Sequence, residues 1–526
     1  MGSGHILVYA FDALMTMYRR AGYTDREAVQ SILERNLYGL DIDERAAQLA
    51  YFALMMRACD YDARFIRRAG PTPQPHVQAL YEAEQAPDAD WSPAQRRAAQ
   101  ALTEAFADAR EYGSILRVDE ATLRAAQSCA FAGESAASEE MRDMASQAVI
   151  LAGQYDAVIT NPPYMGSSGM NEKLSRFVKE RYPDSKSDLF AVFMERCGEL
   201  LHADGEQAMI TQHAWMFLSS FERLRAKLLQ SDTIVSMAHL GARAFEEIAG
   251  EVVQTTAFVL SREHVAGEAG RYARLIEPTT QEGKEQMFLS GRNRYTAQQD
   301  NFRKIPGSPV AYWVGERVVE AYTENEIFEN VGHPKVGMQT SNNDKYLRMW
   351  YEVNYSEFNG TSFGMKWIKY LKGGPYRKWY GNLNYLLFYN GDAQFILKQP
   401  NARVQEEGDL RKKKCTWTML TSGTNSFRIA PDDSFHDIAG HCFYPKENDQ
   451  YWLLGYTNTK VFSLMLNMFN PTVNCQVGDV AKVMVPKLDN AMNKVVSQKS
   501  QSNVEMSKKD WDSFETSWDF KKHPMI

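Results

Sequence analysis

Hydrophobic positions in the first half of the chain fall into two rhythms. Ile6, Leu7, Ala10, Phe11 and Leu14 recur at helical spacing and predict a helix within residues 1–20, entered from a glycine-rich turn. The apolar run Leu37–Ile42 predicts a strand, followed by an alanine-rich helix from about Asp43 to Ala58. Residues 60–145 are polar and mostly helical in texture, with Pro71, Pro73, Pro75 and Pro87 marking loops. Tyr155–Thr160 reads as a second strand, stopped by Pro162-Pro163, and Gln207–Thr211, Thr233–Leu240 and Thr255–Ser261 as further strands, with a helix at about Asp188–His202. Strands alternating with helices predict a doubly wound, mostly parallel α/β sheet.

The texture changes after Arg262. Residues 1–265 form the predicted first domain, with a helical insertion at about 60–145, and residues 266–330 read as a linker and connecting helix. Residues 331–488 are rich in aromatics, Gly and Asn, with short strand-like runs and one helix near Lys460–Phe469, which predicts an α+β second domain. Residues 489–526 are poor in apolar side chains and predict a flexible tail.

Composition adds boundaries. At 526 residues the chain is long enough for two or three cores. Cys59, Cys129, Cys197, Cys415, Cys442 and Cys475 are scattered without a C-x-x-C pair or clustered histidines, which argues against zinc and disulfides and suits a reducing cytoplasm. No apolar stretch approaches the roughly 20 residues of a membrane span, and no signal peptide opens the chain, so the expectation is a soluble cytoplasmic protein with no metal. The net charge is −7, but residues 331–490 carry 19 Lys+Arg against 14 Asp+Glu. A locally basic segment in an acidic chain points to a polyanion partner.

The sharpest chemical signal is Asn161-Pro162-Pro163-Tyr164 directly after the apolar strand Tyr155–Thr160. The Asn side-chain oxygen and the Pro162 carbonyl form a pair of acceptors that suits an amino group whose lone pair is delocalised into a ring. Two bonds to that NH₂ favour a tetrahedral nitrogen with its lone pair free to attack. Consecutive prolines stiffen the turn, and Tyr164 offers a flat face for an unstacked base. A strand-ending Asn-Pro turn is the bland alternative. Gly2-Ser3-Gly4 opens the first helix, where glycines let a ligand approach helix N-terminal amides. Asp41 then ends the Leu37–Ile42 strand where doubly wound folds bind ribose hydroxyls, with Ile42 positioned to pack on an adenine and Asp43 an alternative helix cap.

In this order the motifs resemble the amino-methyltransferases that modify adenine N6 in DNA. The resemblance implies S-adenosyl-L-methionine as cofactor, Gly2, Ser3, Gly4, Asp41 and Ile42 as its cradle, and Asn161, Pro162, Pro163 and Tyr164 as the catalytic tetrad. It also assigns Ser187-Asp188-Leu189-Phe190 to the motif that closes on cofactor and base, giving Asp188 and Phe190 cofactor roles, although Ser187 equally suits a helix start. Phe106–Ser114 is similar to a third motif beside the cofactor adenine. Nearly the whole chain, including Met1–Asp12, NPPYMGSSG at Asn161–Gly169, Trp215–Ser220, NPTVNCQVGD at Asn470–Asp479 and DWDSFETSWDF at Asp510–Phe520, is similar to the BREX-type phage-resistance adenine methyltransferases, relatives of single-chain type IIG restriction-modification enzymes. The implied fold is a Rossmann-like methyltransferase sheet followed by a target-recognition domain. The implied partners are double-stranded DNA and other subunits of a defence complex. In that family a strand ending in Asp-Pro precedes the glycine motif, and the chain continues past the DWDSFETSWDF tail. The resemblance therefore implies a fragment lacking the first strand and cut at both ends.

Within the second domain, Met365–Tyr380 interleaves Lys366, Lys369, Lys372, Arg377 and Lys378 with Trp367, Tyr370, Tyr376, Trp379 and Tyr380, a pattern that suits phosphates and stacked bases. Arg411-Lys412-Lys413-Lys414 is a second basic cluster, and Lys412 and Lys413 join the expected DNA contacts. Gln339, Thr340, Asn342 and Asn343 are candidates for base edges. Two other readings stay open: a protein or RNA amino-methyltransferase, since those enzymes also use N-P-P-Y, and a DNA-recognition fragment whose cofactor half is only scaffold.

Overall fold

Gly4 sets the start of the first helix. Its φ of +84° is one that L side chains resist, and from it the helix His5–Arg20 runs with Phe11 and Met15 buried. The computed structural model describes residues 1–67, 70–82, 91–128, 131, 135–245, 253–358, 366–390, 393–421, 423–446, 450–470 and 473–523. Pro87, Cys129, Met365, Pro471 and Thr472 lie outside the described residues. The chain divides into two units, Met1–Trp215 with Arg223–Asp300, and Met216–Glu222 with Asn301–Ile526.

In the first unit the predicted strand appears as β1 (Tyr38–Asp41) and the helix after it as Glu44–Tyr61, capped by Asp43 through the Arg45 amide. β1 pairs in parallel with β2 (His76–Ala79), from Tyr38↔His76 to Asp41↔Ala79. β2 was not foreseen, because HVQA holds a single strong strand former and follows three prolines. Among the described residues the other regular elements of the insertion are helical, as expected. Helices Pro93–Phe106, Glu120–Ser128 and Ala136–Ala152 enclose a separate core around Leu102, Phe106 and Met144.

A six-stranded sheet follows, made of β3 (Tyr155–Thr160), β4 (Leu201–Gln212), β5 (Thr233–Gly241), β6 (Thr255–Ser261), β7 (Ala269–Arg274) and β8 (Arg294–Gln298), in the order β3-β4-β6-β5-β7-β8. β3/β4 and β5/β7 are parallel, whereas β4/β6, β5/β6 and β7/β8 are antiparallel. The sheet is thus mixed, which corrects the mostly parallel expectation. Period-two alternation marks a strand without giving its direction. The linker expected at 266–330 is corrected as well, since β7, β8 and the helix Gln281–Leu289 complete the first unit. In β7, Tyr272 and Ala273 are buried while Arg271 is exposed, and this short charged strand resembles a loop in composition.

His213, just past β4, and His239 in β5 form a buried pair with Nδ1 and Nε2 at 2.8 Å. Burial pulls His213 down to about 4 and His239 well below the ordinary histidine range, the neighbouring His213 adding to the latter. Both stay neutral in the fold, whereas the unfolded chain takes up protons near 6.5. Stability contributed by the pair is therefore present above that value and lost as pH falls from about 6.5 towards 4, at up to ~1.4 kcal/mol per histidine per pH unit. Urea unfolding at stepped pH checks this. The midpoint should fall over that window, and less steeply in a His213→Gln/His239→Gln variant. Equal slopes would contradict it.

The second unit contains β9 (Glu326–Ile327), β10 (Pro334–Lys335), β11 (Leu347–Met349), β12 (Trp367–Leu371), β13 (Tyr385–Phe388), β14 (Lys414–Trp417), β15 (Phe427–Ala430), β16 (Ser434–His436), β17 (Cys442–Phe443) and β18 (Met484–Val485). They form the sheets β10-β17-β14-β15, β11-β13-β12-β16 and β18-β9. With the helix Lys460–Phe469, which falls at its predicted limits, this unit is α+β as expected. Its core gathers Phe328, Trp417, Phe427, Phe443, Phe462 and Met468.

The flexible tail is corrected. Residues Asn490–Trp511 form a 22-residue helix, capped by Asp489 accepting from the Met492 amide at 2.7 Å. Its inward stripe of Val496, Ser500 and Val504 recurs every four residues. The stripe packs where Gly455 leaves room: a Cβ there would stand 2.4 Å from Ser500 Oγ. So narrow a stripe barely raises apolar content, which is why composition missed it.

Candidate functional site

The predicted residues of the first unit form two groups, one at the C-terminal end of β1 and one at the C-terminal end of β3. At the end of β1, the Asp41 carboxylate accepts from the Gly2 amide at 2.7 Å, from the Asp43 amide at 3.1 Å and from the Met1 amine at 3.2 Å. Burial raises the Asp41 pKa, but these donors outweigh it and the net shift is downward, so the carboxylate is ionised at neutral pH. The glycine turn is thereby tied to the acidic strand end. A Cβ on Gly4 would stand 2.7 Å from the Ala50 Cα and Cβ, whereas one on Gly2 would meet nothing within 4 Å, so the turn is packed beneath and open above. The helix His5–Arg20 has no side chain capping its N-terminus, and its first amides remain available for a polar ligand. Ile42 is 55% exposed beside this turn.

The segment Phe106–Ser114 joins the same group. A Cβ on Gly113 would lie 3.1 Å from the Ile42 Cγ2. Tyr112 stacks on Phe177 with centroids 4.0 Å apart, Asn171 donates to Glu111 at 2.6 Å, and Lys173 pairs with Asp108. The helix Glu172–Arg181, which follows the tetrad loop, thus carries this segment to Ile42.

At the end of β3, Asn161 and Pro163 are exposed, Pro162 is buried and Tyr164 is half-buried. The Tyr164 hydroxyl lies 3.3 Å from both the Asn161 Oδ1 and the Ile210 carbonyl. Burial pushes Tyr164 up to about 12, so it stays protonated and can donate. The Ile210 carbonyl is a contact that sequence reasoning missed, since a main-chain acceptor leaves no side-chain signature.

Asp188 and Phe190 support this loop. Asp188 caps the helix Leu189–Glu199 and its Oδ1 accepts from the Met165 amide at 3.0 Å, while the Leu189 amide donates to the Met165 carbonyl. Burial raises Asp188 despite these amides. Phe190 is fully buried, edge-on to Tyr164 at 6.2 Å. Both residues brace the tetrad, and the helix here is capped by Asp188 rather than by the Ser187 that the sequence offered. Among the described residues no helix is long and apolar enough to cross a membrane, and no group of three or more His, Cys, Asp or Glu could hold a metal ion.

The expected DNA contacts divide in the second unit. Tyr370 is 1% exposed and donates to Asp437 at 2.7 Å, which removes it from any surface and corrects that assignment. Lys369 pairs with Asp433 and lies over Trp518, Arg377 pairs with Asp510 and lies over Trp511, Lys378 donates to the Asn458 carbonyl, and Lys412 pairs with Asp409. Lys372 sits over the Tyr385 ring and Trp367 against Phe388. Lys414 is buried, donates to the Asp409, Leu410, Lys412 and Asp432 carbonyls, and is pulled down to about 8 by burial. Lys366, 3.7 Å from Glu357, and Lys413 are exposed, as is the ion-paired Lys412. Thr340 is buried and bonds Asn343, whereas Asn342 caps a short turn.

Residues 35–245 match the family model of the Eco57I restriction-modification methylase. The chain is 36% identical to the adenine-specific methyltransferase PglX of Lacticaseibacillus casei (strain Zhang), covering 99% of this chain and 46% of that protein. It is 35% identical to the adenine-specific methyltransferase BrxX of Escherichia coli O9:H4 (strain HS), covering 100% of this chain and 46% of that one. The chain therefore spans about half the length of these relatives. Among solved structures, the type ISP restriction-modification enzyme LlaGI, a nuclease-deletion mutant with a DNA substrate mimic, aligns with a TM-score of 0.55 at 10% identity, covering 96% of this chain and 44% of that one. The type IIL enzyme MmeI in complex with DNA aligns at 0.53 and 10% identity, covering 99% and 65%. These likenesses establish a common fold.

Proposed function

The chain belongs to the family of the adenine-specific methyltransferases PglX and BrxX, spanning about half of each, and on that premise we propose that it carries the catalytic and DNA-recognising parts of a site-specific DNA methyltransferase. The reaction is transfer of a methyl group from S-adenosyl-L-methionine to N6 of adenine, in the cytoplasm and within a phage-defence system. The observation that carries the reading is the exposed Asn161 at the end of β3, its Oδ1 3.3 Å from the Tyr164 hydroxyl on a proline-stiffened loop.

The residues of the first unit fit the cofactor. An open glycine turn over free helix amides suits the carboxylate of its methionine part. Asp41, at the end of β1, would bond a ribose hydroxyl, and exposed Ile42 would pack on the adenine. When bound, S-adenosyl-L-methionine supplies a methyl group made electrophilic by its sulfonium. The protein's part is to prepare the amine. Asn161 Oδ1 and the Pro162 carbonyl accept the two N6 hydrogens, which turns the nitrogen lone pair towards the methyl carbon. Tyr164 orients the Asn161 amide through its hydroxyl and supports the base with its ring, and Phe190 holds Tyr164 from behind. The proton released as the new N–C bond forms leaves to water.

Duplex DNA is the partner we assign to the second unit, where Lys366, Lys412 and Lys413 are the exposed cations of the predicted basic set. Lys413→Ala is expected to weaken binding evenly across DNA sequences and to lower the slope of log affinity against log salt by about 1. Lys412→Ala should change the slope less, because that cation already pairs with Asp409, which it shares with Lys335. Salt titrations of affinity check the difference, and equal slopes in both variants would contradict it.

The function is tested by giving the protein DNA and cofactor labelled in the methyl group, then digesting the DNA to nucleosides. Label in N6-methyladenosine of the deoxy series supports the reading. Label confined to protein glutamine or to RNA overturns it.

A further inference from the structure

The second unit holds a cleft of about 600 Å³ that the proposed reaction does not use. Its walls are the stretch Met349, Trp350 and Tyr351, then Asn384, and residues between Ser513 and His523. Phe514, Glu515, Thr516 and Phe520 from that last stretch belong to the DWDSFETSWDF string or directly line the same wall. The volume falls within the roughly 300–1,000 Å³ of small-ligand sites.

The cleft is ring-lined and partly pre-set. Trp350 is fixed by its Nε1 donating to the Thr516 carbonyl at 3.0 Å and its amide donating to the Asn384 carbonyl at 3.0 Å. Tyr351 stands edge-on to it, centroids 5.8 Å apart, and is itself 66% exposed. Phe514 on the opposite segment is 50% exposed. Two large rings left open to water over a shaped cleft mark a place where a flat apolar face is met.

The polar groups narrow the ligand. Among the described lining residues none is Lys or Arg and one, the exposed Glu515, is a carboxylate, so the floor itself does not suit a phosphate. Lys521 and Lys522 stand exposed between the lining residues Phe520 and His523, which puts positive charge beside the cleft. Within the described residues no hydrogen bond engages the Asn384 side-chain amide, a group that can both donate and accept along one edge. A neutral planar ring with a hydrogen-bonding edge, attached to an anionic backbone, satisfies all three features.

We propose that this cleft holds one unstacked nucleobase with its sugar. The ring lies on Tyr351 and Phe514, Asn384 bonds its edge, and Lys521 and Lys522 take the flanking phosphates. The proposal rests on the assignment of DNA to the second unit. The site would favour DNA with an extrahelical base over a perfect duplex.

The test uses the protein without cofactor and measures fluorescence anisotropy with two duplexes, one fully paired and one with a single-nucleotide bulge. The wild type should bind the bulged duplex about 10-fold more tightly. Tyr351→Ala/Phe514→Ala should erase that preference while leaving affinity for the paired duplex and the melting temperature unchanged, since both rings are exposed. Tyr351→Phe/Phe514→Tyr should restore it. A bulge preference that survives the double alanine change overturns the proposal, as does paired-duplex binding with no preference in the wild type. Failure of the wild type to bind either DNA overturns this proposal and the DNA assignment together. Free adenosine binding that needs Tyr351 and Phe514, without a bulge preference, would transfer the cleft to a soluble nucleoside and overturn the nucleic-acid source.

Discussion

Asn161→Ala should lower the rate of methyl transfer to DNA by at least about 100-fold, the scale seen when one group that stabilises a transition state is removed. The change deletes one of the two acceptors proposed for the adenine amine, and the remaining Pro162 carbonyl cannot hold both hydrogens. Stability should not explain the loss. Asn161 is exposed, and the Tyr164 hydroxyl keeps the Ile210 carbonyl as its partner. Asn161→Asp retains an oxygen acceptor at the same place and should fall between wild type and alanine. Single-turnover rates on DNA, with cofactor affinity measured by calorimetry, separate these effects. A rate loss with cofactor affinity held within about 2-fold is the expected pattern. A rate equal to wild type would remove Asn161 from the chemistry.

Gly4→Ala is the change with the largest expected effect on stability in the cofactor turn. The left-handed backbone at φ +84° costs an L residue about 1–2 kcal/mol. The added Cβ would also stand 2.7 Å from two backbone-proximal atoms of Ala50, so the helix Glu44–Tyr61 must move, for about 1–3 kcal/mol more. The sum, about 2–5 kcal/mol, should lower the denaturation midpoint and weaken cofactor binding together, because the same turn bonds Asp41 through Gly2. Gly2→Ala is the control. Its φ is +59° but its Cβ meets open space, so only the backbone term applies. Urea unfolding of both variants decides the matter. Equal losses would mean that the packing of Gly4 on Ala50 carries no weight.

The parts of the fold that were legible in the sequence share a strong local period. Tyr155–Thr160, Thr255–Ser261 and Lys460–Phe469 occur at their predicted limits because apolar residues and turn residues bound them on both sides. What was missed was built from polar or narrow patterns. β2 and β7 contribute few apolar side chains each, and the helix Asn490–Trp511 packs through a stripe of one residue per turn. Strand direction was not legible at all, since side chains alternate in the same way in both senses.

The candidate site was more legible than the sheet around it, because its chemistry is concentrated in contiguous residues. Asn161–Tyr164, Gly2–Gly4 and Asp41–Ile42 each occupy a strand end or helix start where a few residue types suffice. The roles of Asp188 and Phe190 depended on a loop folding back, with Asp188 reaching the Met165 amide, which spacing does not encode. In the basic segment the signal was present and misread. Alternation along Trp367–Leu371 puts Ile368 and Tyr370 on the buried face and Lys369 on the other, so the strand period, and not the aromatic ring, decides where Tyr370 lies.

The central claim is that Asn161 and Pro162 together receive the amine of an extruded adenine. It is tested most directly by a structure of the protein with cognate DNA and a non-reactive cofactor analogue. The account predicts an adenine lying on Tyr164, with its N6 at hydrogen-bond distance, about 3 Å, from both Asn161 Oδ1 and the Pro162 carbonyl. An extruded adenine bound elsewhere, or one lying at this loop with N6 turned away from both oxygens, would contradict it.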